Sequence, residues 1–548
     1  MKSYKLLLLS ILSGALLWLS WNPINISFLA LIAFVPLFFI SDNLLSKKSR
    51  VPFWQGMLYS FPAFVIWNAS TTWWIWNSTP PGSIGAIFLN SLIMSITFGL
   101  WHCFKSQKPS KLAIPITFIG FWLSFEYIHL HWDLSWPWLN LGNVFAPHTQ
   151  FVQWYEYTGT FGGSLWILAT NFLIYYLLIN LKNNRRKSII YGSVLAVIII
   201  LPITISLIKY YSYKLPTKDP IEAIIVQQNT DPWTEEYELS NADQVMRILK
   251  VAFPKITDTT ALMICPESAI PHNISSEKLL NKTFPQRTSR YWGFVVIDSF
   301  IYHYPNINMI FGLSTLQSFD FKATPTVREE FPNHFVEYYN TSACINSNWV
   351  SGIYYKSRLV PGVEKMPYPK LFGFLEKFVI DLGGTSGSLG IDTLQRAFPT
   401  TIQGGKIKIG APICYESIYG ELFTQFVKDG AQIMSVITND GWWKNTPGHK
   451  QHFAMSKLRA VETRRTILRA ANTGISAFID EKGDVHQATK YNERIAIKQV
   501  VYPNDTITFY VKHGDYLAHI ANVLSIIMLI YGTFQWIFRK LGYQKLEK

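Results

Sequence analysis

Charge is scarce in this chain: only 15% of its 548 residues are Asp, Glu, Lys or Arg, while 49% are hydrophobic. Soluble proteins carry about a quarter charged residues, so the composition excludes a chain that is water-soluble throughout. Cysteine is scarcer still. The four present, Cys103, Cys265, Cys344 and Cys414, form no C-x-x-C pair, which leaves a zinc site without its usual spacing and a disulfide framework without support. A third absence is local: the stretches 22–25, 78–82 and 131–161 contain no Lys or Arg at all.

What is present lies unevenly. Long apolar runs fill the first two hundred residues and the last forty, whereas the middle reads as a soluble domain. A bilayer-spanning helix needs about 20 mostly apolar residues. Runs of that kind cover 5–22, 26–42, 55–76, 83–105, 112–130, 162–181, 188–209 and 514–537, and they predict about eight transmembrane helices. The first follows Lys2 and Lys5 as a signal peptide would, but it lacks a clean small-x-small cleavage site and is read as a retained helix.

The net charge of +14 has two readings, a nucleic-acid surface or basic membrane loops, and the positions decide between them. Lys2 and Lys5 precede the first run. Lys47, Lys48 and Arg50 separate the second and third, and Lys105, Lys108 and Lys111 the fourth and fifth. Lys182, Arg185, Arg186 and Lys187 separate the sixth and seventh, while Arg539, Lys540, Lys545 and Lys548 follow the eighth. Every basic loop therefore falls on one side, which the positive-inside rule makes cytoplasmic. Both termini are expected in the cytoplasm, with the middle segment facing outward. No nucleic-acid partner is expected. The domains expected are a transmembrane domain at 1–211, an outward domain at 212–512, and a helix with a cytoplasmic tail at 513–548.

Aromatics crowd 131–161, among them Trp132, Trp136, Trp138, Phe145, Trp154 and Tyr157. They read as an interfacial anchor or as the wall of a lipid-access groove. From about 215, short runs such as Ala223–Val226, Ala261–Ile264, Met309–Leu313, Ile407–Ile409, Ile433–Ile437 and Ile475–Ile479 predict buried strands. A helical pattern at His452–Ala471 is one of those between them, so an α/β layered domain is expected.

Three segments then carry chemistry. Glu267 follows a strand-like run in Cys265-Pro266-Glu267, Lys356 opens Lys356-Ser357-Arg358, and Cys414 follows another run in Pro412-Ile413-Cys414-Tyr415-Glu416. Each has a plain structural reading: a cysteine after a strand is often core, and a lysine before a loop is often solvated. Together, a carboxylate, an ammonium and a thiol at strand ends are the parts of nucleophilic acyl transfer.

In this order the segments resemble the Glu-Lys-Cys triad of the nitrilase, or carbon–nitrogen hydrolase, superfamily. The likeness extends to Thr438-Asn439-Asp440-Gly441-Trp442-Trp443 and to the stretch from Arg459 through Gly474. With helices before and after the domain, and Trp136-Pro137-Trp138-Leu139 between them, the whole chain resembles the apolipoprotein N-acyltransferases. Cys265 stands where many members have Trp, and Gly441-Trp442-Trp443-Lys444 where many have Ala-Trp-Phe-Gly. A Trp that some members place after the first strand has Trp233 and Tyr237 as candidate counterparts.

The resemblance implies a polytopic helical membrane domain and a nitrilase-like αββα sandwich. It implies that Glu267 takes the thiol proton of Cys414, which attacks a phospholipid ester and becomes a thioester. Lys356 and the backbone N–H of Tyr415 would bind the oxyanion. The acceptor would be the α-amino group of the diacylglyceryl-cysteine of an apolipoprotein, and a monomer without cofactor or metal is expected. Glu364 and Glu416 are expected to orient Lys356 and tune local charge, with plain structural hydrogen bonding the other reading for Glu416.

Candidate substrate contacts are Trp233, Tyr237, Trp442, Trp443, Met366, Tyr368 and Phe372. The last three lie on Met366–Phe378, a candidate lid or ordinary packing. Gly383–Ser388 reads as a hinge, since no Lys-Ser/Thr pair closes it as a phosphate loop. His449 and His452 lack a convincing carboxylate to complete a metal set and read as structural. Arg459 and Arg469, with Glu462 between them, read as salt-bridged packing on one helix. A membrane-tethered amidase using the same triad is the alternative activity, and a non-enzymatic lipid-binding scaffold the second.

Overall fold

The computed structural model describes residues 2–46, 51–284, 289–372 and 388–540. The chain divides into two compact units. One comprises Met1–Trp76, Pro80–Tyr211 and Asp515–Lys548, the other Asn77–Thr79 and Ser212–Gly514.

The first unit is helical. Its elements are α1 (Ser3–Leu19), α2 (Val35–Leu45), α3 (Pro52–Thr72), α4 (Pro80–Ser106), α5 (Ala113–His131), α6 (Tyr155–Asn180) and α7 (Arg185–Ser212), with a final helix at Tyr516–Lys540. Among the described residues, six helical segments are long and apolar enough to cross a membrane: Ser27–Leu45, α4, α5, α6, α7 and Tyr516–Phe538. The run expected as one helix at 26–42 is broken. A 3₁₀ turn at Ser27–Leu31 precedes α2, whose first turn holds Pro36, where a missing N–H costs nothing. The most apolar stretch of α7 has no residue buried within the protein. A helix apolar all round and uncovered by protein needs lipid around it.

The aromatic stretch between α5 and α6 turns inward. It forms 3₁₀ turns at Pro137–Leu139 and Leu141–Phe151, and Trp138, Phe145 and Tyr155 are fully buried. Glu126 on α5 accepts Leu141 N–H at 2.7 Å, Trp122 Nε1–H at 3.1 Å and Ser164 Oγ–H at 2.6 Å. That buried carboxylate satisfies the irregular backbone beside it. The rings of Trp138, Phe145 and Tyr155 are packing within the helical unit, whereas Tyr157 is exposed and Trp132, Trp136 and Trp154 are half-buried.

The second unit contains two sheets. The first is built from β1 (Ile221–Gln227), β2 (Thr260–Ile264), β3 (Ile270–Ser275), β4 (Asn308–Phe319), β5 (Arg328–Phe331), β6 (His334–Asn346) and β7 (Trp349–Tyr355). The second is built from β8 (Phe398–Ile402), β9 (Gly405–Gly410), β10 (Ile433–Thr438), β11 (Ile467–Ala471), β12 (Ala477–Ile479) and β13 (Val485–His486). A last strand, β14 (Ile495–Val501), returns to the first sheet, whose order is β14-β1-β2-β4-β6-β5 with β3 on β4 and β7 on β6. The second sheet runs β13-β12-β11-β10-β9-β8.

The sheets face each other through β1 and β11. Helices α8 (Asn241–Ala252) and α9 (Trp292–His303) cover the first sheet; Val245, Ile248, Leu249, Phe294, Ile297 and Ile301 pack on Ile224, Met263 and Met309. The start of α8 is capped by Ser240, which accepts Asp243 N–H, and its apolar residues recur at helical spacing. Two further helices, α10 (Gly420–Lys428) and α11 (Pro447–Thr463), accompany the second sheet. This is the helix–sheet–sheet–helix layering expected of a nitrilase-like domain.

Two local expectations change. The pattern at His452–Ala471 is not one helix: α11 stops at Thr463, Arg464 turns left-handed with φ +49°, and residues 467–471 form β11. All of β11 is buried and pairs in parallel with β10, and a strand buried on both faces shows no alternation to read. Arg469 therefore lies on a strand. At Ile475–Ile479 the strand begins only at Ala477, because Ser476 N–H is held by Thr489 Oγ1 at 2.9 Å.

Candidate active site

Parallel strands deliver their carboxyl ends to one edge of a sheet, and functional side chains gather there. Glu267 stands just beyond β2. The neighbouring strand makes room for it: a Cβ on Gly312 of β4 would lie 2.5 Å from Glu267 Cα and 2.6 Å from the Pro266 carbonyl oxygen. Only glycine permits that approach. Lys356 follows β7 and is fixed by its own N–H, which donates to the Asn340 carbonyl at 2.8 Å. Cys414 follows β9, after Ile413 bridges to Ile437 at the end of β10.

The three side chains converge and are all buried. Lys356 Nζ lies 2.8 Å from Glu364 Oε1 and 3.3 Å from Glu267 Oε1. Asn340 Nδ2 donates to the same two carboxylates, at 2.8 Å to Glu267 and 3.0 Å to Glu364. Asn439 N–H donates to the other Glu267 oxygen at 2.9 Å, and Val360 N–H to the other Glu364 oxygen at 2.8 Å. Burial alone would lower the lysine pKa, but Glu267 and Glu364 outweigh it and hold the ammonium well above its ordinary value. Lys356 stays charged.

Cys414 has φ +50°, a left-handed conformation that a residue with a Cβ adopts only under constraint, and it opens a 3₁₀ turn over Cys414–Ile418. Burial pushes its thiol well above the ordinary range, and Glu267 adds to this, while Lys356 and a hydrogen bond with Thr438 oppose it. The resting group is the thiol. A nucleophile of this kind needs a base that removes its proton as it attacks.

Glu416 braces the turn. One carboxylate oxygen accepts Ile413 N–H at 2.8 Å; the other accepts Ser357 N–H at 2.7 Å, Ser357 Oγ–H at 2.8 Å and Tyr354 O–H at 2.5 Å. It binds the Cys414 loop to the residue after Lys356. Of Glu364 and Glu416, Glu364 is the one that touches Lys356 directly. Tyr415 is buried with its ring edge-on to Tyr419.

Beneath Cys414 lies a charged network. Asp440 accepts from Arg469 at 2.7 Å and Thr438 Oγ–H at 2.9 Å, and it pairs with His452 Nδ1 at 2.9 Å. Burial works against the charge on Asp440, but Arg469 and His452 overcome it and hold its pKa down at about 2. A second carboxylate, Glu236, accepts Asn439 Nδ2–H at 2.9 Å; burial pushes it up to about 8. Among the described residues no cluster of three His, Cys, Asp or Glu side chains suits a metal ion.

The remaining candidates are more scattered. Trp233 and Trp442 meet edge-to-face at 4.9 Å, and Trp443 lies against His452 at 5.6 Å. Tyr237 is largely exposed and reaches towards His272 at 6.5 Å. Met366 follows Glu364 and donates its N–H to Ser388 Oγ at 3.0 Å, and Tyr368 is exposed. The Phe372 side chain and 373–387, which hold most of the expected lid and hinge, lie outside the described residues. Sequence reasoning missed the placement of Asn340, Glu236 and the His452–Asp440 pair around the site. Asp440 and Asn439 carried the one available signal, the Thr438–Trp443 motif.

Two family models match the chain. That of the apolipoprotein N-acyltransferase N-terminal domain covers residues 13–173, and that of carbon-nitrogen hydrolase covers 321–503, including Lys356 and Cys414. Proteins named apolipoprotein N-acyltransferase are similar along nearly the whole length. The one from Chlorobaculum tepidum is 28% identical over 539 residues, spanning 95% of this chain and 96% of the relative. That from Geobacter metallireducens is 26% identical over 532 residues, spanning 93% and 92%, and that from Thermotoga maritima 23% over 528 residues, spanning 94% and 89%.

Proposed function

The chain belongs to the apolipoprotein N-acyltransferase family of the carbon–nitrogen hydrolase superfamily, and from that premise we propose that Cys414 carries an acyl chain between two lipid substrates. Glu267 takes the thiol proton while sulfur attacks the ester carbonyl of a phospholipid. The oxyanion is held by the Lys356 ammonium and the Tyr415 N–H. The tetrahedral adduct collapses to a thioester, and the leaving lysophospholipid oxygen takes the proton from Glu267. In the second half the α-amino group of a lipoprotein's diacylglyceryl-cysteine attacks the thioester. Glu267 accepts the amine proton and returns it to the departing thiolate, leaving an N-acylated product.

The observation that carries this reading is the sharing of Lys356 Nζ between Glu267 and Glu364 beside a buried, left-handed Cys414. One carboxylate is then available as base while the other keeps the ammonium charged. Trp233, Trp442, Trp443, Tyr237, Met366 and Tyr368 supply apolar surface for the lipid chains.

The basic loops, all on one side of the membrane, support cytoplasmic termini and an outward-facing catalytic domain at 212–512, between membrane parts at 1–211 and 513–548 in a bacterial inner membrane. The reading needs one chain, no nucleic acid and no cofactor. Incubating the purified protein with phospholipid labelled in its acyl chain tests it: the label should appear as a thioester on Cys414 and move to a diacylated lipopeptide. Cys414→Ser should abolish both steps in a folded protein. Turnover of a small amide without any labelled thioester would instead favour the amidase.

A further inference from the structure

Cys414 adopts a left-handed backbone conformation at φ +50° in a non-glycine residue. Such strain persists only where the surroundings over-determine it. On one side Glu416 grips the preceding residue, Ile413, by its N–H. On the other, two groups converge on the Cys414 carbonyl oxygen: Ser417 Oγ–H donates to it at 2.8 Å, and His452 Nε2 lies 3.2 Å from it and 2.9 Å from Ser417 Oγ. A carbonyl oxygen and a carboxylate both only accept, so the contacts to Cys414 and to Asp440 are made together by a ring that carries a hydrogen on each nitrogen, Nε2–H toward the Cys414 oxygen and Nδ1–H toward Asp440. The opposite ring nitrogen rests 2.9 Å from Asp440, which Arg469 anchors at 2.7 Å. Arg469, Asp440, His452 and Ser417 are all fully buried.

A trans peptide is planar, and its C=O and N–H point in opposite directions. Donors fastened to the Cys414 carbonyl therefore aim the N–H of the same peptide unit, that of Tyr415, the other way. They also polarise it, because a hydrogen bond accepted at the carbonyl strengthens the one its N–H donates. Resting on the assignment of Cys414 as nucleophile, we propose that His452, backed by Asp440 and Arg469, is a positioning residue that orients and strengthens the Tyr415 N–H as an oxyanion donor. Ser417 shares the task. The histidine exchanges no proton with substrate; it acts through the peptide bond.

The test separates acyl transfer, which forms an oxyanion, from alkylation of the same thiol by iodoacetamide, which forms none. It uses the full-length protein in detergent with labelled phospholipid. Removing one oxyanion-hole donor lowers turnover about 10²–10³-fold; weakening one lowers it less. His452→Phe should slow thioester formation at least about tenfold while alkylation of Cys414 stays within about twofold. His452→Gln, which restores an N–H, should recover part of the rate. Ser417→Ala should show the same split, and it decides alone if His452→Phe does not accumulate. Unchanged acylation in the folded variants would overturn the proposal, as would acylation and alkylation falling in parallel, since His452 would then only shape the turn. Cys414→Ser is the control on the premise: acylation surviving in that variant means the nucleophile is wrong, a result distinct from any His452 outcome.

Discussion

The carboxylate of Glu416 accepts the backbone N–H of Ser357 at 2.7 Å, across 59 residues of sequence. Its other oxygen holds Ile413 N–H at 2.8 Å, so one buried side chain sets the distance between the Cys414 turn and the end of β7. Glu416→Ala would strand both N–H groups in the interior, and each buried donor left unsatisfied costs about 1–3 kcal/mol. Glu416→Gln keeps one acceptor and should lose less. We expect the alanine variant to melt several degrees lower and to lose most acyl transfer, with the glutamine variant between it and wild type. Thermal unfolding and thioester labelling on the same samples check this; equal melting temperatures would refute the bracing role.

Gly312 makes a sharper case, because it touches no reacting atom. A methyl group there would sit 2.5 Å from Glu267 Cα, closer than carbon atoms approach without movement. Overpacking of this kind typically costs about 1–3 kcal/mol, but the segment that must shift carries Glu267, the base in the proposed mechanism. Gly312→Ala should therefore lower kcat by more than its loss of stability implies. Kinetics measured well below the melting temperature would show it, and wild-type kcat would rule it out.

Lys356 sits between two carboxylates with almost no solvent. Removing one partner of a buried ion pair typically costs about 3–5 kcal/mol, because the remaining charge is left uncompensated. Lys356→Met should abolish thioester formation and destabilise the protein. Adding Glu364→Gln removes one of the stranded charges and should restore part of the stability but none of the activity. Recovery of acyl transfer in the double variant would remove Lys356 from the oxyanion site.

How much of this was legible beforehand depends on where the signal lies. Glu267, Lys356 and Cys414 each follow an apolar run, and a reactive group directly after a buried strand stands out against its neighbours. The structure brings all three together. Asn340 gave no such signal: it lies in the middle of β6, among polar and aromatic residues whose burial does not alternate regularly. Arg469 was read as helical because β11 is buried on both faces and has no period of two. Within the aromatic stretch at 131–161, composition cannot say which ring is buried in protein and which stays exposed, as Trp138 and Tyr157 respectively are. Glu126, the carboxylate that draws part of it inward, is 15 residues from the N–H it binds at Leu141.

Glu236 offers a test by pH. Burial raises its carboxyl from 4.5 to about 8, and it holds Asn439, whose N–H in turn holds Glu267, the proposed base. A carboxyl raised in the folded state binds its proton there while the unfolded chain has already released it. Its contribution to stability is thus complete below about 4.5 and is lost as pH rises to about 8, with no further loss above. Glu236→Gln keeps an acceptor for Asn439 and cannot titrate. Relative to that variant, wild type should lose melting temperature steadily from pH 4.5 to 8 and then hold a constant difference. Activity should follow the same group. Above pH 8 the ionised Glu236 places a second negative charge near Glu267, where an oxyanion must form. Acyl transfer should fall on that alkaline limb in wild type and not in Glu236→Gln. A difference in melting temperature that does not vary with pH would mean that Glu236 is charged throughout, and that Asn439 is held by an anion instead of a neutral acid.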